Sequence, residues 1–172
     1  MGRTRRLRRK KNVLVDVPDV SNVPDVPDVP SLHIRKARRK DRFAMKLLNE
    51  NNLSENYSLE FWTDLLTNYP GKSLVLENAQ GELKGYLLSN GSLLCSFVVD
   101  GSVRNCGWGS QLLERWCSIP DLQYPLELQV RTTNQAALHL YEKYGFETVE
   151  TLSQYYKNPT EDAYLMRKTK QT

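Results

Sequence analysis

The stretch Arg104-Asn105-Cys106-Gly107-Trp108-Gly109 decides the fold, because a strand pattern precedes it and a helix pattern follows it. Before it, residues 93–99 form an apolar, β-branched run that is typical of a buried strand. After it, residues 110–117 place apolar side chains at helical spacing. A strand, a glycine-containing loop and a helix start together favour an anion site, because the first-turn N–H groups point outward. A strand-loop-helix turn without any ligand fits the same pattern.

Two other phosphate-binding loops are excluded at this position. The P-loop requires a lysine followed by serine or threonine after its second glycine, whereas Ser110-Gln111 follows Gly109. The dinucleotide-binding fingerprint requires a third glycine where this chain has Leu112. A phosphate-binding role for this loop would therefore place the chain outside both of these protein families.

Residues 134–146 predict a second helix with both of its ends marked in the sequence. Asn134 is a favourable N-cap residue, and Gly145 is a favourable left-handed terminator. Apolar side chains recur on one face of this helix, at Ala137, Leu140, Tyr141 and Tyr144. The alternating residues 125–130 immediately before it predict a strand, so a strand-helix unit follows the first one.

These two segments together resemble the GNAT acetyltransferase superfamily, whose members bind acetyl-coenzyme A. The pyrophosphate loop of that family has the form Arg/Gln-x-x-Gly-x-Gly/Ala, which Arg104, Gly107 and Gly109 match. The resemblance covers residues 32–168 and the two motifs occur in the family's order. It implies an α/β fold with a mixed, mostly antiparallel central sheet flanked by helices.

Within the superfamily, the chain resembles catalytic subunits of the N-terminal acetyltransferase A complex and the ribosomal-protein alanine acetyltransferases. Residues 53–57 resemble the Leu-Pro-Glu-Asn-Tyr segment of those subunits, and residues 130–141 match them almost throughout. The resemblance implies acetyl transfer from acetyl-coenzyme A to the α-amino group of protein N-termini, by direct attack in a ternary complex. One departure is the connection at residues 89–92, a tight turn where those subunits usually carry a longer loop.

The resemblance implies cofactor contacts on the strand before the loop, on the loop itself and on the second helix. The residues concerned are Phe97, Val98, Val99, Arg104, Asn105, Cys106, Gly107, Trp108, Gly109, Ser110, Asn134 and Tyr141. A backbone N–H near Val98 or Val99 would polarise the thioester carbonyl. Arg104 would add a charge-assisted contact, although a solvated surface arginine is the plain alternative.

The resemblance also implies an acid and leaves the base to be identified. Tyr141 is the candidate acid for the leaving thiolate, unless it is only part of the apolar face of its helix. Gln129 stands where related enzymes often carry a histidine, and Val103 stands where another member uses a tyrosine. Glu55 is therefore the leading candidate base, directly or through a water, and a solvated loop carboxylate is its alternative.

Two walls for the substrate peptide are implied, formed by Leu53, Glu55, Tyr57, Tyr155 and Tyr156. An α-amino group has a pKa of about 8 and lysine one of about 10.4, so an N-terminus is the easier nucleophile at neutral pH. Transfer to a small-molecule amine or to lysine is an alternative function. A non-catalytic coenzyme A-binding module is another, because two usual catalytic groups are replaced.

The remaining features concern the N-terminal part of the chain and its surroundings. Residues 1–31 combine a basic run with a Val-Pro-Asp repeat and predict a disordered arm and linker, with the GNAT domain at residues 32–172. The arm suggests contact with the ribosome or RNA, and the resemblance suggests an auxiliary subunit. No apolar run of 18 residues and no hydrophobic signal core occur, so we expect a cytoplasmic protein without membrane contact, with nuclear import as an option. Two histidines and three scattered cysteines predict no metal site.

Overall fold

The computed structural model describes residues 31–170, so the predicted arm and linker lie outside the described residues apart from Ser31. Seven strands form one sheet in the order β1-β2-β3-β4-β5-β7-β6. They are β1 (Leu32–Lys36), β2 (Leu74–Asn78), β3 (Leu83–Ser89), β4 (Leu93–Val99), β5 (Leu126–Arg131), β6 (Glu147–Lys157) and β7 (Thr160–Lys168). The α-helices are α1 (Arg42–Asn52), α2 (Leu59–Asn68), α3 (Trp108–Cys117) and α4 (Gln135–Lys143). Within residues 31–170, no helix is long and apolar enough to cross a membrane.

The sheet is mixed and mostly antiparallel, which confirms the predicted fold class. Only the β4–β5 pair is parallel among the paired strands described. The tight turn predicted at residues 89–92 is present, because the Asn90 side-chain oxygen accepts hydrogen bonds from the backbone N–H groups of Ser92 and Leu93. β3 and β4 pair antiparallel, as expected for two strands joined by the hairpin-forming pair Asn90-Gly91.

The last two strands are longer than the sequence indicated. The sequence pattern predicts strands at residues 146–151 and 163–168, whereas β6 extends to Lys157 and β7 begins at Thr160. β6 follows its partner through two register shifts, and at Gln154 the backbone has a φ of 49°. The Asp162 carboxylate accepts a hydrogen bond from the Gln154 N–H there. As a result, Tyr155 and Tyr156 lie on a strand.

Two apolar clusters hold the helices against opposite parts of the sheet. One packs α3 and α4 against the sheet around Leu112, Trp116 and Phe146. The other packs α1 and α2 around Met45 and Trp62. Alternation along the end of β4 serves both clusters, since Val98 belongs to the second and its neighbour Val99 packs against the first.

β4 carries an extra residue where it passes α1. Leu88 pairs with Ser96 while Ser89 pairs with Leu94, so Cys95 is bulged out of the ladder. Beneath this bulge, a buried hydrogen-bonded group joins α1, β3 and β4. The Tyr86 and Ser96 hydroxyls lie 2.8 Å apart, and the Asn49 amide donates to the Tyr86 hydroxyl at 3.0 Å.

Replacing Tyr86 by phenylalanine is expected to destabilise the protein by about 1–3 kcal/mol, because the buried Asn49 amide and Ser96 hydroxyl lose a partner. Urea unfolding would show this as a lower midpoint with an unchanged slope. Tyr164→Phe is the matched control, since no hydrogen bond of the Tyr164 hydroxyl is found in the described part of the chain. Equal midpoints for the two variants would contradict the expectation.

Candidate active site

The main cavity of the described chain lies where β4 and β5 separate. These parallel strands pair only at Leu93–Glu127 and Leu94–Leu128, and beyond that point a cavity of about 580 Å³ opens between them. Residues 95–99 of β4 line one side of it, and residues 129–131 of β5 line the other. Along the cavity, the backbone N–H and C=O groups of β4 that face β5 are therefore not paired with that strand.

Most of the predicted site residues line this cavity. They are Leu53, Glu55, Tyr57, Phe97, Val98, Val99, Arg104, Asn105, Gly107, Trp108, Gly109, Asn134, Tyr141 and Tyr156. Cys106 and Ser110 are not among its lining residues, and Tyr155 lines a neighbouring cavity instead. The Val98 side chain is buried in the α1–α2 cluster, so only its backbone can serve the cavity. The individual roles of these residues stay predictions.

The glycine-containing loop brings backbone N–H groups to the mouth of the cavity. Gly107 is the N-cap residue of α3 and has a φ of 81°, while Asn105 has a φ of 60°. These two left-handed residues turn the chain into the helix, whose first-turn N–H groups have no partner within it. A Cβ atom on Gly109 would lie 3.7–4.0 Å from Leu140, Val99 and Phe97, so Gly109 borders the cavity directly. The arrangement suits a pyrophosphate.

Arg104 lines the cavity, and its side chain is also held by hydrogen bonds to other parts of the protein. Its Nε donates to the Val99 carbonyl at 2.8 Å, and its Nη2 donates to the Asn52 side chain at 2.9 Å. The guanidinium therefore ties the end of β4 to the end of α1. Asn52, which the sequence did not single out, also lines the cavity.

α4 places two of the predicted residues as its capping pattern indicates. The Asn134 side chain accepts a hydrogen bond from the Ala137 N–H at 3.2 Å, which confirms the predicted cap. Gly145 has a φ of 82°, which confirms the predicted terminator. Tyr141 lies on the inner face of the helix, and burial raises its pKa above the usual value for tyrosine. The phenol thus stays protonated and can donate a hydrogen bond into the cavity.

Tyr141→Phe tests whether that hydroxyl acts in the reaction. The phenyl ring keeps the packing against Phe146, whose ring lies 6.0 Å from that of Tyr141. Loss of a positioned acid should lower kcat by about 10²-fold or more, whereas a packing role predicts little change. Steady-state kinetics would be compared with Tyr144→Phe, at the residue that directly follows this helix. Equal kcat values for both variants and the wild type would exclude Tyr141 as the acid.

A second cavity, of about 400 Å³, adjoins the first at the expected peptide entrance. Residues 54–57 line one side and residues 155–158 the other. The Tyr57 hydroxyl donates to the Cys95 carbonyl at 3.3 Å, and burial raises its pKa to about 12. Both cavities are lined by Ser54, Glu55, Tyr57 and Tyr156, so they adjoin at the residues predicted to form the peptide walls.

Arg131 at the end of β5 joins the two walls, although the sequence analysis assigned it no function. It forms ion pairs with Glu55 and with Glu161, the latter at 3.0 Å. Its guanidinium also lies 4.2 Å from the centre of the Tyr156 ring. It donates to the backbone carbonyls of Asn158 and Pro159 at 3.2 and 3.1 Å. The only signal in the sequence was its position between a predicted strand and a predicted cap.

Glu55 is the only carboxylate among the described residues that line either cavity, and no histidine is among them. Gln129 lines the main cavity and cannot accept a proton at neutral pH. Burial raises the pKa of the Cys95 thiol to about 11, so that group stays protonated as well. Glu55 is thus the lining side chain best suited to accept a proton. Its Oε1 contacts Arg131 and Ser54.

Glu161 stabilises the turn that carries Arg131. Hydrogen bonds from the Thr133 hydroxyl at 2.7 Å and the Thr133 N–H at 2.9 Å, together with Arg131, hold the pKa of this carboxyl to about 2. Its ordinary value is 4.5. The pKa is depressed in the folded state, so the stabilisation is present above about pH 4.5 and is lost towards about pH 2.

Glu161→Gln should therefore lower Tm near neutral pH, and the difference from the wild type should narrow as the carboxyl becomes protonated. Thermal unfolding in steps from about pH 6 to about pH 3 measures this, because the linkage depends on the two pKa values. Glu147→Gln on exposed β6 is the control and should show no comparable trend. A Tm difference that stays constant with pH would contradict the assignment.

Comparison with known proteins agrees with this geometry. Residues 70–148 match the acetyltransferase (GNAT) domain family. An N-alpha-acetyltransferase of Sulfurisphaera tokodaii is 34% identical over 152 residues, which are 77% of this chain and 90% of the relative. The crystal structure of Ard1 from Thermoplasma volcanium has a TM-score of 0.73 at 27% identity, covering 82% of this chain and 99% of that one.

A further solved structure, the NatC complex bound to Gag peptide and CoA, has a TM-score of 0.74 at 19% identity. It covers 81% of this chain and 99% of the matched chain, and at this identity it shows the likeness of fold alone. The relative from Sulfurisphaera tokodaii carries the assignment, because its identity extends over nearly its whole length. This chain belongs to the GNAT acetyltransferase family, in its group of N-alpha-acetyltransferases.

Proposed function

We propose that this protein transfers an acetyl group from acetyl-coenzyme A to the α-amino group of protein N-termini. The observation that carries the proposal is the joined pair of cavities at the β4–β5 gap. One end borders the backbone N–H groups at the start of α3, and the other opens between Tyr57 and Tyr156. The similarity to an N-alpha-acetyltransferase over most of the chain supports the same activity.

Acetyl-coenzyme A supplies the thioester, and the residues at the loop fit its pyrophosphate. The free N–H groups of the first turn of α3 bind the phosphate oxygens, and Gly109 leaves room for them beside Val99 and Leu140. The unpaired backbone edge of β4 from Cys95 to Val99 offers hydrogen bonds for the acyl arm. The acetyl group is thereby held in the gap between β4 and β5, facing the peptide entrance.

The acceptor amine enters between the two walls and meets Glu55. Glu55 accepts the proton of the attacking amine, directly or through a water, and the ion pair with Arg131 orients this carboxylate. The protonated Tyr141 phenol donates a hydrogen bond to the departing thiolate. The amine and the thioester are bound together in one ternary complex, so the amine attacks the thioester carbonyl directly and the thiolate leaves.

The chemistry of the site favours an α-amine over a lysine side chain. The α-amine has a pKa of about 8, so a useful fraction is neutral at physiological pH, whereas lysine at about 10.4 requires a stronger base. Glu55 is the only carboxylate among the described lining residues, and a carboxylate is a weak base. The path between Tyr57 and Tyr156 also offers aromatic faces to a peptide backbone.

The test is acetyl transfer to a set of peptides that differ in their first residue and carry one internal lysine. The matched control is the same set with a blocked N-terminus. We expect mass spectrometry to place the acetyl group on the α-amine of unblocked peptides alone. Transfer to the internal lysine of blocked peptides at similar rates would overturn the proposal, as would cofactor binding without any transfer.

We also propose that the basic run at residues 3–11 contacts the ribosome through its RNA, and that the enzyme acts in the cytoplasm. The run contains seven Lys or Arg residues within nine positions, which supports electrostatic attraction to phosphate. Co-sedimentation with ribosomes should decrease as salt is raised, and more so for the wild type than for a variant with neutral residues there. An auxiliary subunit is proposed from the resemblance, and co-purification from cells tests it.

A further inference from the structure

The N-terminal half of α1 presents an apolar and basic surface to solvent. Phe43 and Leu47 are 57% and 58% exposed, although large apolar side chains are commonly buried. They are four residues apart, so they lie next to one another on one face of the helix. The Arg42 guanidinium lies 4.2 Å from the centre of the Phe43 ring. This face therefore combines contact area with positive charge.

Three further exposed basic residues, Arg38, Arg39 and Lys40, immediately precede the helix. The nearby acid, Asp41, is buried and its carboxylate accepts two hydrogen bonds from Arg35 at 2.7 and 3.0 Å. Among residues 31–170, none of the three has an ion-pair partner. We call the surface formed by Arg38, Arg39, Lys40, Phe43 and Leu47 the α1 patch.

The sequence just before the described domain has the complementary chemistry. Residues 16–30 read Asp-Val-Pro, Asp-Val-Ser, Asn-Val-Pro, Asp-Val-Pro and Asp-Val-Pro, five triplets with valine at every centre. They contain four aspartates and no Lys or Arg, which gives a charge of −4. A three-residue repeat matches the three-residue turn of a polyproline II helix, so all five valines would share one face and the aspartates another.

The point where this segment joins the domain allows it to reach the α1 patch. Residue 31 precedes β1, which is an edge strand and has five residues. β1 leads to Lys36, two residues before the patch begins, so the path back along the edge is about 17 Å. Fifteen residues in polyproline II geometry span about 47 Å, which exceeds this distance. Attachment through so short a connection also gives a high effective concentration.

We propose that residues 16–30 of this chain dock on the α1 patch of the same molecule. The aspartates meet Arg38, Arg39 and Lys40, and the valines cover Phe43 and Leu47. The segment is acidic and the α1 patch is basic, and both contain apolar side chains, so the two are complementary in charge and in apolar contact. This contact is independent of acetyl transfer, so it stands or fails separately from the proposed function.

The experiment measures amide hydrogen exchange at residues 38–47 in the full-length protein. We expect exchange in the first turn of α1 to be about tenfold slower in the wild type than in a variant with Asp16, Asp19, Asp25 and Asp28 changed to asparagine. The control neutralises four exposed acids elsewhere, with Asp121→Asn, Glu142→Gln, Glu147→Gln and Glu150→Gln. Equal exchange in the wild type and in the segment variant would overturn the proposal.

A charge exchange between the two surfaces gives a second, independent measurement. Changing Arg38, Arg39 and Lys40 to aspartate should remove the protection of α1, and adding lysines at the four aspartate positions of the segment should restore it. Protection must also be independent of protein concentration. Failure of the restoring variant, or protection that increases with concentration and so reports a second copy, would each overturn docking within one molecule.

Discussion

Gly109→Glu is expected to abolish coenzyme A binding while the fold remains intact. A Cβ atom at this position would point between Leu140, Val99 and Phe97 at ordinary contact distances, so the backbone itself tolerates a side chain. The longer glutamate side chain would extend into the cavity and bring a negative charge to the place proposed for the pyrophosphate. Filling of the space and repulsion between like charges both act against the ligand.

The measurement is the rise in Tm with added coenzyme A, which depends on the ratio of ligand concentration to Kd. We expect Kd to increase by about 100-fold or more, so that the ligand no longer raises Tm at concentrations that saturate the wild type. Gly101→Glu is the matched control, because it adds the same charge to an exposed neighbouring loop where a Cβ has open space. Undiminished stabilisation of Gly109→Glu by coenzyme A would mean that the loop does not hold the ligand.

The parts of this fold that follow from local rules could be predicted from the sequence. Asn134 and Gly145 mark the ends of α4 because capping depends on neighbouring residues alone. The turn at residues 90–92 follows likewise from Asn-Gly chemistry. The extension of β6 to Lys157 could not be predicted from the sequence. Its pairing with β7 contains register shifts, and these interrupt the alternation of side chains by which a strand is recognised.

The candidate site divides in the same way. The phosphate loop and the peptide walls could be proposed from the sequence because each comes from short segments that resemble the family's motifs. The contact of Arg131 with Glu55 joins residues 76 positions apart, so no local pattern indicates it. Arg104 shows the same limit, because its hydrogen bond to Asn52 arises only when the end of α1 meets the end of β4. The resemblance implied a charge-assisted phosphate contact for Arg104, and the folded chain adds its hydrogen bonds to Val99 and Asn52.

Glu55→Gln is expected to lower kcat by about 10²–10⁴-fold at neutral pH, because the glutamine amide cannot take the proton of the attacking amine. Part of the loss should be recovered as the pH is raised above about 8, where most of an α-amine is already neutral. KM for acetyl-coenzyme A should change little, since the α3 loop that binds the pyrophosphate is untouched. Rates across pH with one peptide substrate measure both effects.

The substitution also removes an ion pair with Arg131, so a control must separate orientation from proton transfer. Glu161→Gln serves this purpose, because Glu161 pairs with the same guanidinium and does not line either cavity. If Glu55 acted only by holding Arg131 in place, Glu55→Gln and Glu161→Gln would lower kcat to a similar extent. Neither variant would then recover activity at high pH. A base at position 55 predicts instead a large, pH-dependent loss for Glu55→Gln and a small, pH-independent one for Glu161→Gln. Wild-type kcat in Glu55→Gln across the pH range would exclude this carboxylate, and positioning with backbone polarisation would then account for the rate.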